Sequence, residues 1–204
     1  MIRVLLLIIG YICGLFTTGY VIARLEHKDI QHEGSGNIGA TNSVRVLGVK
    51  MGALVLLGDL LKALIPMLIV KHIYAGSPQM AVYAAYIGFG AVLGHDFPFY
   101  LGWNGGKGVS STAGFFLGLS LRTGLTLIIP FLVMFFLFRR VSICSLVGVT
   151  LAAIAACLLY PQTEIRVIAV IIAALCIWRH KANIKRLLDG TESKLELRKG
   201  DHKS

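Results

Sequence analysis

Hydrophobic residues in this chain come in long, nearly unbroken runs separated by short polar segments rich in glycine. The runs are Ile2–Ala23, Met51–Val70, Met80–Phe97, Val109–Phe138, Val141–Tyr160 and Ile165 to about Trp178. A helix rises about 1.5 Å per residue, so about 20 apolar residues cross a hydrocarbon core of about 30 Å. Val109–Phe138 is too long for one pass, since a single helix there would measure about 45 Å. Arg122 and Gly124 near its middle predict two short spans joined by a tight turn, which brings the count to seven. A short amphipathic piece is expected over Val44–Lys50, and a turn over Lys71–Gln79 containing Gly76-Ser77-Pro78. The first run lacks a small-residue cleavage site and is long enough to span, so it is read as a retained helix and not as a signal peptide.

Composition agrees with this pattern. The chain has 204 residues, 56% hydrophobic and 15% charged, where a soluble domain carries about a quarter charged residues. The reading is an all-α integral membrane protein with one domain over residues 1–192 and a polar tail over 193–204.

The net charge of +10 does not point to nucleic acid, because the basic residues flank apolar runs. With seven spans, one side holds Arg24, Lys28, Arg45, Lys50, Lys107, Arg139, Arg140 and eight basic residues from Arg179 onward, fifteen of the twenty Lys and Arg. Fusing Val109–Phe138 into one span would send Arg139, Arg140 and the tail to the opposite side, against the positive-inside bias. The N-terminus is therefore expected outside and the C-terminus in the cytoplasm.

Two glycine-rich loops fall on that cytoplasmic side. Gly34-Ser35-Gly36-Asn37-Ile38-Gly39-Ala40-Thr41-Asn42 precedes Arg45. Glycines let successive N–H groups converge on one spot, and such a concavity binds phosphate. Ser35, Thr41 and the asparagines add neutral donors, and Arg45 adds a planar charged fork. The second loop, with its lead-in Gly94-His95-Asp96, ends in Gly105-Gly106-Lys107-Gly108. It resembles a phosphate cradle but is not a nucleotide P-loop, having Leu101 and Gly108 where that motif needs Gly and Ser or Thr. Beyond the last span, His180 and Asn183 stand at helical spacing with Leu187. Asp59 and Lys62, one turn apart inside the second span, read as a structural ion pair. The four cysteines lie in apolar runs without ligand spacing, and no metal cluster, Ser-His-Asp order or cofactor fingerprint stands out. No His-x-x-x-x-Asp pattern occurs either, since Tyr100 and Lys185 stand five after His95 and His180. Two phosphate-type loops on one membrane face suggest a reaction between two phosphate-bearing reactants.

Three ordered segments together resemble the bacterial acyl-phosphate:glycerol-3-phosphate acyltransferase family, the PlsY type. They are Gly34 to Arg45, Gly94 to Gly108, and His180 to Glu192 with its His-x-x-Asn-x-x-Arg-Leu…Gly-x-Glu pattern. Departures are small: Trp103 and Asn104 stand where Phe and Lys are common. The resemblance implies transfer of a fatty acyl group from acyl phosphate to the 1-hydroxyl of sn-glycerol 3-phosphate, without a cofactor, at the cytoplasmic face of the bacterial inner membrane. It implies catalytic roles for Ser35, Arg45, Lys107, His180 and Asn183. Substrate contacts are implied at Gly36, Asn37, Gly39, Thr41, Asn42, His95, Gly105, Gly106 and Gly108, and a structural role at Glu192. The residues themselves leave two other readings open: an organic-phosphate transporter, and a scaffold whose basic face binds anionic lipid. They also leave open whether His180, His95 or a substrate phosphate takes the hydroxyl proton.

Overall fold

A computed structural model describes residues 1–195, so the expected polar tail lies outside the described residues from position 196 on. The described residues form ten α-helices and one 3-10 turn: α1 (Ile2–Leu15), α2 (Thr18–Leu25), α3 (Ala40–Leu47), α4 (Val49–Ile73), α5 (Met80–Asp96), the turn Phe99–Leu101, α6 (Val109–Leu119), α7 (Leu121–Phe138), α8 (Val141–Leu159), α9 (Thr163–Arg179) and α10 (Lys181–Leu188). The lipid-directed surface is apolar, with residues such as Leu54, Ile69, Phe136 and Leu158 exposed. The core between the helices is built on Met67, Phe115, Phe116, Val149 and Ile172. Helices α1 and α5 meet backbone to backbone: a Cβ at Gly10 would stand 2.0 Å from the Ile87 carbonyl oxygen, and one at Gly90 2.2 Å from that of Leu7. Small residues permit such close packing in a bilayer, where burial between helices gives little drive of its own.

Among the described residues, four stretches are long and apolar enough to cross a bilayer: Ile2–Leu25, Val49–Ile73, Leu121–Phe138 and Val141–Leu159. A fifth arises if α9 and α10, bent by 58°, are taken together. The 17-residue α5 reaches about 25 Å, at the short end of the spanning range. The long run does break, at Ser120, whose Oγ accepts from Thr123 N at 3.2 Å and caps α7. Its first half, α6, has only 11 residues and covers about 16 Å, roughly half the core. The cause is depth. Gly114 and Gly118 of α6 lie against Leu60 and Met67 of α4, so α6 packs along the middle of α4 and starts inside that helix's first turns, below its N-terminal end.

Two local expectations need correction. The amphipathic helix begins at Ala40 and ends at Leu47, and Val49 and Lys50 already belong to α4, because Gly48 at φ +88° breaks the chain between them. The first span is broken at Phe16–Thr17, where Lys62 Nζ donates to the Phe16 carbonyl at 2.9 Å and Tyr100 OH to that of Leu15 at 2.7 Å. Both carbonyls are left without helical donors at the break.

Side-chain contacts define the two ends of the bundle. At one, Arg3 pairs with Glu164 at 2.8 Å and donates to Gln79, while Lys71 reaches the Gly118 and Leu119 carbonyls. At the other, both glycine-rich loops, the start of α8 and α10 come together. Ser193 and Leu195, expected to open the polar tail, are docked there: Arg45 donates to Ser193 Oγ at 3.0 Å, and Leu195 N to the Arg139 carbonyl at 2.8 Å.

Candidate active site

A cavity of about 830 Å³ opens at this second end. Ser35, Arg45, Lys107, His180 and Asn183 all line it, as do Gly36, Asn37, Gly39, Thr41, Asn42, His95 and Gly108. Asp59 and Glu192 are also in its wall. Gly105 and Gly106 are not; Gly105 instead borders a smaller cavity of about 420 Å³ with Gln31, His32, Asn37, Asn104 and Arg179.

The first loop is organised by Asn42. Its buried amide accepts from Ser35 N at 2.8 Å and donates to the carbonyls of Ile30 (3.3 Å) and Glu33 (3.0 Å). Asn37 Oδ1 accepts from Gly39 N at 3.0 Å. These bonds hold Gly34 and Gly36 at positive φ and leave Ala40 and Thr41 of the first turn of α3 on the cavity wall. First-turn N–H groups have no partner within their own helix, which makes this edge suited to an anion.

The second loop is held from behind. Gly105 N and Gly106 N donate to the carbonyls of Asp96 (3.2 Å) and His95 (3.1 Å). Arg179 closes the other side through Nε to the Gly106 carbonyl (3.0 Å) and Nη2 to that of Gly105 (2.7 Å). A Cβ on Gly106 would lie 2.0 Å from His95 Nε2, a clash that must push the loop or the imidazole aside. Gly106→Ala is therefore expected to cut turnover about five- to 150-fold, since forcing an extra methyl group into a packed site costs about 1–3 kcal/mol; steady-state assay of the purified variant checks it.

Lys107 reaches across to α10 and donates to Asn183 Oδ1. That amide is oriented by Glu192, whose Oε1 accepts from Asn183 Nδ2 (2.6 Å) and Ser142 Oγ (2.7 Å), while Oε2 pairs with Arg186 Nε at 2.7 Å. Burial acts to raise the Glu192 carboxyl, but bonds from Asn183, Ser142 and Arg186 outweigh it and hold the group below the usual glutamate range. Burial pushes Lys107 down to about 8, against the opposing charge of Glu192 and with help from Arg186 and Arg45. His180 Nδ1 lies 2.8 Å from the Cys176 carbonyl. A carbonyl only accepts, so Nδ1 carries the proton and Nε2 keeps its lone pair. Burial holds this imidazole at about 4 despite that carbonyl bond, so it is neutral at physiological pH.

One wall of the cavity is apolar, formed by Leu56, Leu60, Ala113, Leu127, Ile128, Phe131 and Leu132. Leu56 and Leu132 are each 46% exposed, so this wall runs on to the lipid-facing surface. Sequence reasoning missed Arg179, Ser142 and Ser145, which line the cavity. Arg179 was readable only as the neighbour of His180, and the serines lay hidden inside an apolar run.

The family model described as glycerol-3-phosphate acyltransferase matches residues 4–190. The glycerol-3-phosphate acyltransferase of Anaeromyxobacter sp. strain K is 40% identical, over 94% of this chain and 96% of its own. That of Macrococcus caseolyticus is 36% identical, over 96% and 98%. Among solved structures, the crystal structure of PlsY (YgiH), an integral membrane glycerol 3-phosphate acyltransferase, superposes in its glycerol 3-phosphate form with a TM-score of 0.87 at 36% identity, covering 95% of this chain and 96% of that one. Its lysophosphatidic acid form gives 0.84 at 35% identity, with 96% of each chain covered. A sequence match over nearly the whole chain and a shared all-helical membrane fold lead to one assignment: this protein belongs to the PlsY family of glycerol-3-phosphate acyltransferases.

Proposed function

We propose that this acyltransferase takes its acyl group from acyl phosphate and delivers it to the 1-hydroxyl of sn-glycerol 3-phosphate, giving lysophosphatidate and inorganic phosphate. The observation that carries the reading is the shape of the cavity: a cationic, glycine-lined end joined to an apolar wall that continues to the lipid surface. The acyl chain lies along that wall while two phosphates share the polar end. In this reading Arg45 and Lys107 neutralise the phosphates, Ser35 and the first turn of α3 hold one of them, and His180 with Asn183 orients glycerol 3-phosphate. The family assignment leaves no place for the transporter and scaffold readings.

An acyl phosphate is already activated, so the protein needs orientation and charge stabilisation more than a covalent nucleophile or a cofactor. The glycerol hydroxyl attacks the carbonyl carbon, the bond from that carbon to the phosphate oxygen breaks, and the hydroxyl proton passes to a phosphate oxygen. His180 Nε2 accepts a hydrogen bond from the hydroxyl and orients it. An imidazole held at about 4 beside Lys107 is a weak proton acceptor, which favours this substrate-assisted route. The test is direct: purified protein given glycerol 3-phosphate with acyl phosphate or with the acyl thioester of coenzyme A forms lysophosphatidate only from the acyl phosphate. Product from the thioester alone contradicts the donor assignment.

We further propose seven passes through the bacterial inner membrane, with the N-terminus outside and the C-terminus and site on the cytoplasmic side, and a domain ending near residue 192. The half-length α6 counts as a pass because the loop before it dips inward. Cysteines at His32 and Thr191, both exposed, are expected to react with an impermeant reagent from the cytoplasmic side, and one at Ala75 from outside. Labelling of positions 32 and 191 from opposite sides contradicts the topology.

A further inference from the structure

The buried charges Asp59 and Lys62 of α4 do not touch the groups assigned to either phosphate, yet charges inside a membrane helix are costly and need a reason. Lys62 Nζ makes three contacts: Asp59 Oδ1 at 2.9 Å, the Phe16 carbonyl at 2.9 Å and His95 Nδ1 at 2.7 Å. An ammonium has three N–H groups and no lone pair, so all three partners must accept. The carboxylate and the carbonyl can do nothing else. His95 Nδ1 therefore presents its lone pair; a proton there would face an ammonium proton at hydrogen-bond distance. Asp59 Oδ1 stands 3.6 Å from Nδ1, too far to claim that proton, and is bonded by Thr18 Oγ1 at 3.1 Å.

A neutral imidazole with a lone pair on Nδ1 carries its proton on Nε2. That atom has no protein partner among the described residues, lies against Gly106, and belongs to a residue on the cavity wall. We infer that the Asp59–Lys62 pair fixes His95 as an Nε2–H donor, so that His95 gives a neutral hydrogen bond to an oxygen of the acyl phosphate as negative charge collects there. Asp59 and Lys62 are then positioning residues acting through His95. His180 has the opposite tautomer, so the cavity holds one neutral histidine that donates and one that accepts. The donor faces the oxygen that gains charge, and the acceptor faces the attacking hydroxyl. Neither can do the other's work. This inference rests on acyl phosphate being the donor.

Two measurements test it. In the full-length protein with 15N-labelled histidine, His95 is expected to show a protonated Nε2 and a bare Nδ1, and His180 the reverse. The His95 signal is identified by its loss in His95→Gln or, should that variant not fold, by dipolar contact with a labelled lysine Nζ. A protonated Nδ1 on His95 overturns the inference. In the acyl phosphate assay, His95→Gln, which places an amide N–H near the Nε2 position, keeps kcat within about tenfold. His95→Asn, which keeps an acceptor for Lys62 but has no donor at that reach, loses about 10²–10³-fold. The KM for glycerol 3-phosphate stays unchanged in both. Equal kcat in the two variants overturns the inference. Wild-type protein that makes no lysophosphatidate from acyl phosphate overturns the donor assignment instead, and the spectra still decide the tautomer.

Discussion

Replacing Lys107 by methionine lowers kcat/KM about 30-fold or more while the protein still folds. Removing one partner of a desolvated charge pair costs about 2–5 kcal/mol, and each 1.36 kcal/mol is a factor of ten in rate. Arg45→Ala has an effect of the same order, since its guanidinium lines the same cavity. The pH dependence separates the two. Lys107 titrates at about 8 because burial disfavours its charge. As pH rises through that value the free enzyme loses the cation that meets the phosphates, and kcat/KM falls on the alkaline side near pH 8. A bound phosphate favours the charged form, so the corresponding limb in kcat lies higher. Lys107→Arg removes this limb, because a guanidinium stays protonated. Near-normal turnover in Lys107→Met, or an alkaline limb that persists in Lys107→Arg, takes Lys107 out of the phosphate site.

His180→Gln raises the KM for glycerol 3-phosphate about tenfold and leaves measurable turnover with an acidic limb. Glutamine can still accept a hydrogen bond from the hydroxyl but cannot titrate. If a substrate phosphate takes the proton, the limb follows that phosphate, whose second pKa is about 6, and it survives the substitution. If His180 is the base, the limb lies near 4, where burial holds the imidazole, and both the limb and nearly all turnover vanish with the side chain. Complete loss of turnover at unchanged substrate affinity contradicts the substrate-assisted route.

Much of this site is legible in the sequence because its chemistry is local. Gly34–Gly39 and Gly105–Gly108 announce backbone that side chains would obstruct, and Arg45, Lys107 and Asn183 follow at loop or helix edges. What the sequence hides is depth. Asp59 and Lys62 look like a lone pair in the middle of a span. Only the packing of α5 against α4 brings His95 to 2.7 Å from Lys62, and of the pair Asp59 reaches the cavity wall. The break at Phe16–Thr17 is invisible for a related reason: the apolar run continues across it, and its bonding partners Lys62 and Tyr100 come from distant segments. Arg179 resembles any cation ending a membrane helix until the fold sets it on the Gly105 and Gly106 carbonyls. The membrane helices themselves are clear from hydropathy, but α6 shows that an apolar run measures length and not how far a helix crosses.

Acyl phosphate labelled with 18O in the oxygen that bridges carbonyl and phosphorus tests the central claim most directly. Attack by the glycerol hydroxyl on the carbonyl carbon sends that oxygen out with phosphate. Mass spectrometry of a reaction with glycerol 3-phosphate is expected to find the label wholly in inorganic phosphate and none in the ester of lysophosphatidate. Label retained in a released fatty acid, or lysophosphatidate formed without an equal amount of labelled phosphate, contradicts direct acyl transfer from acyl phosphate.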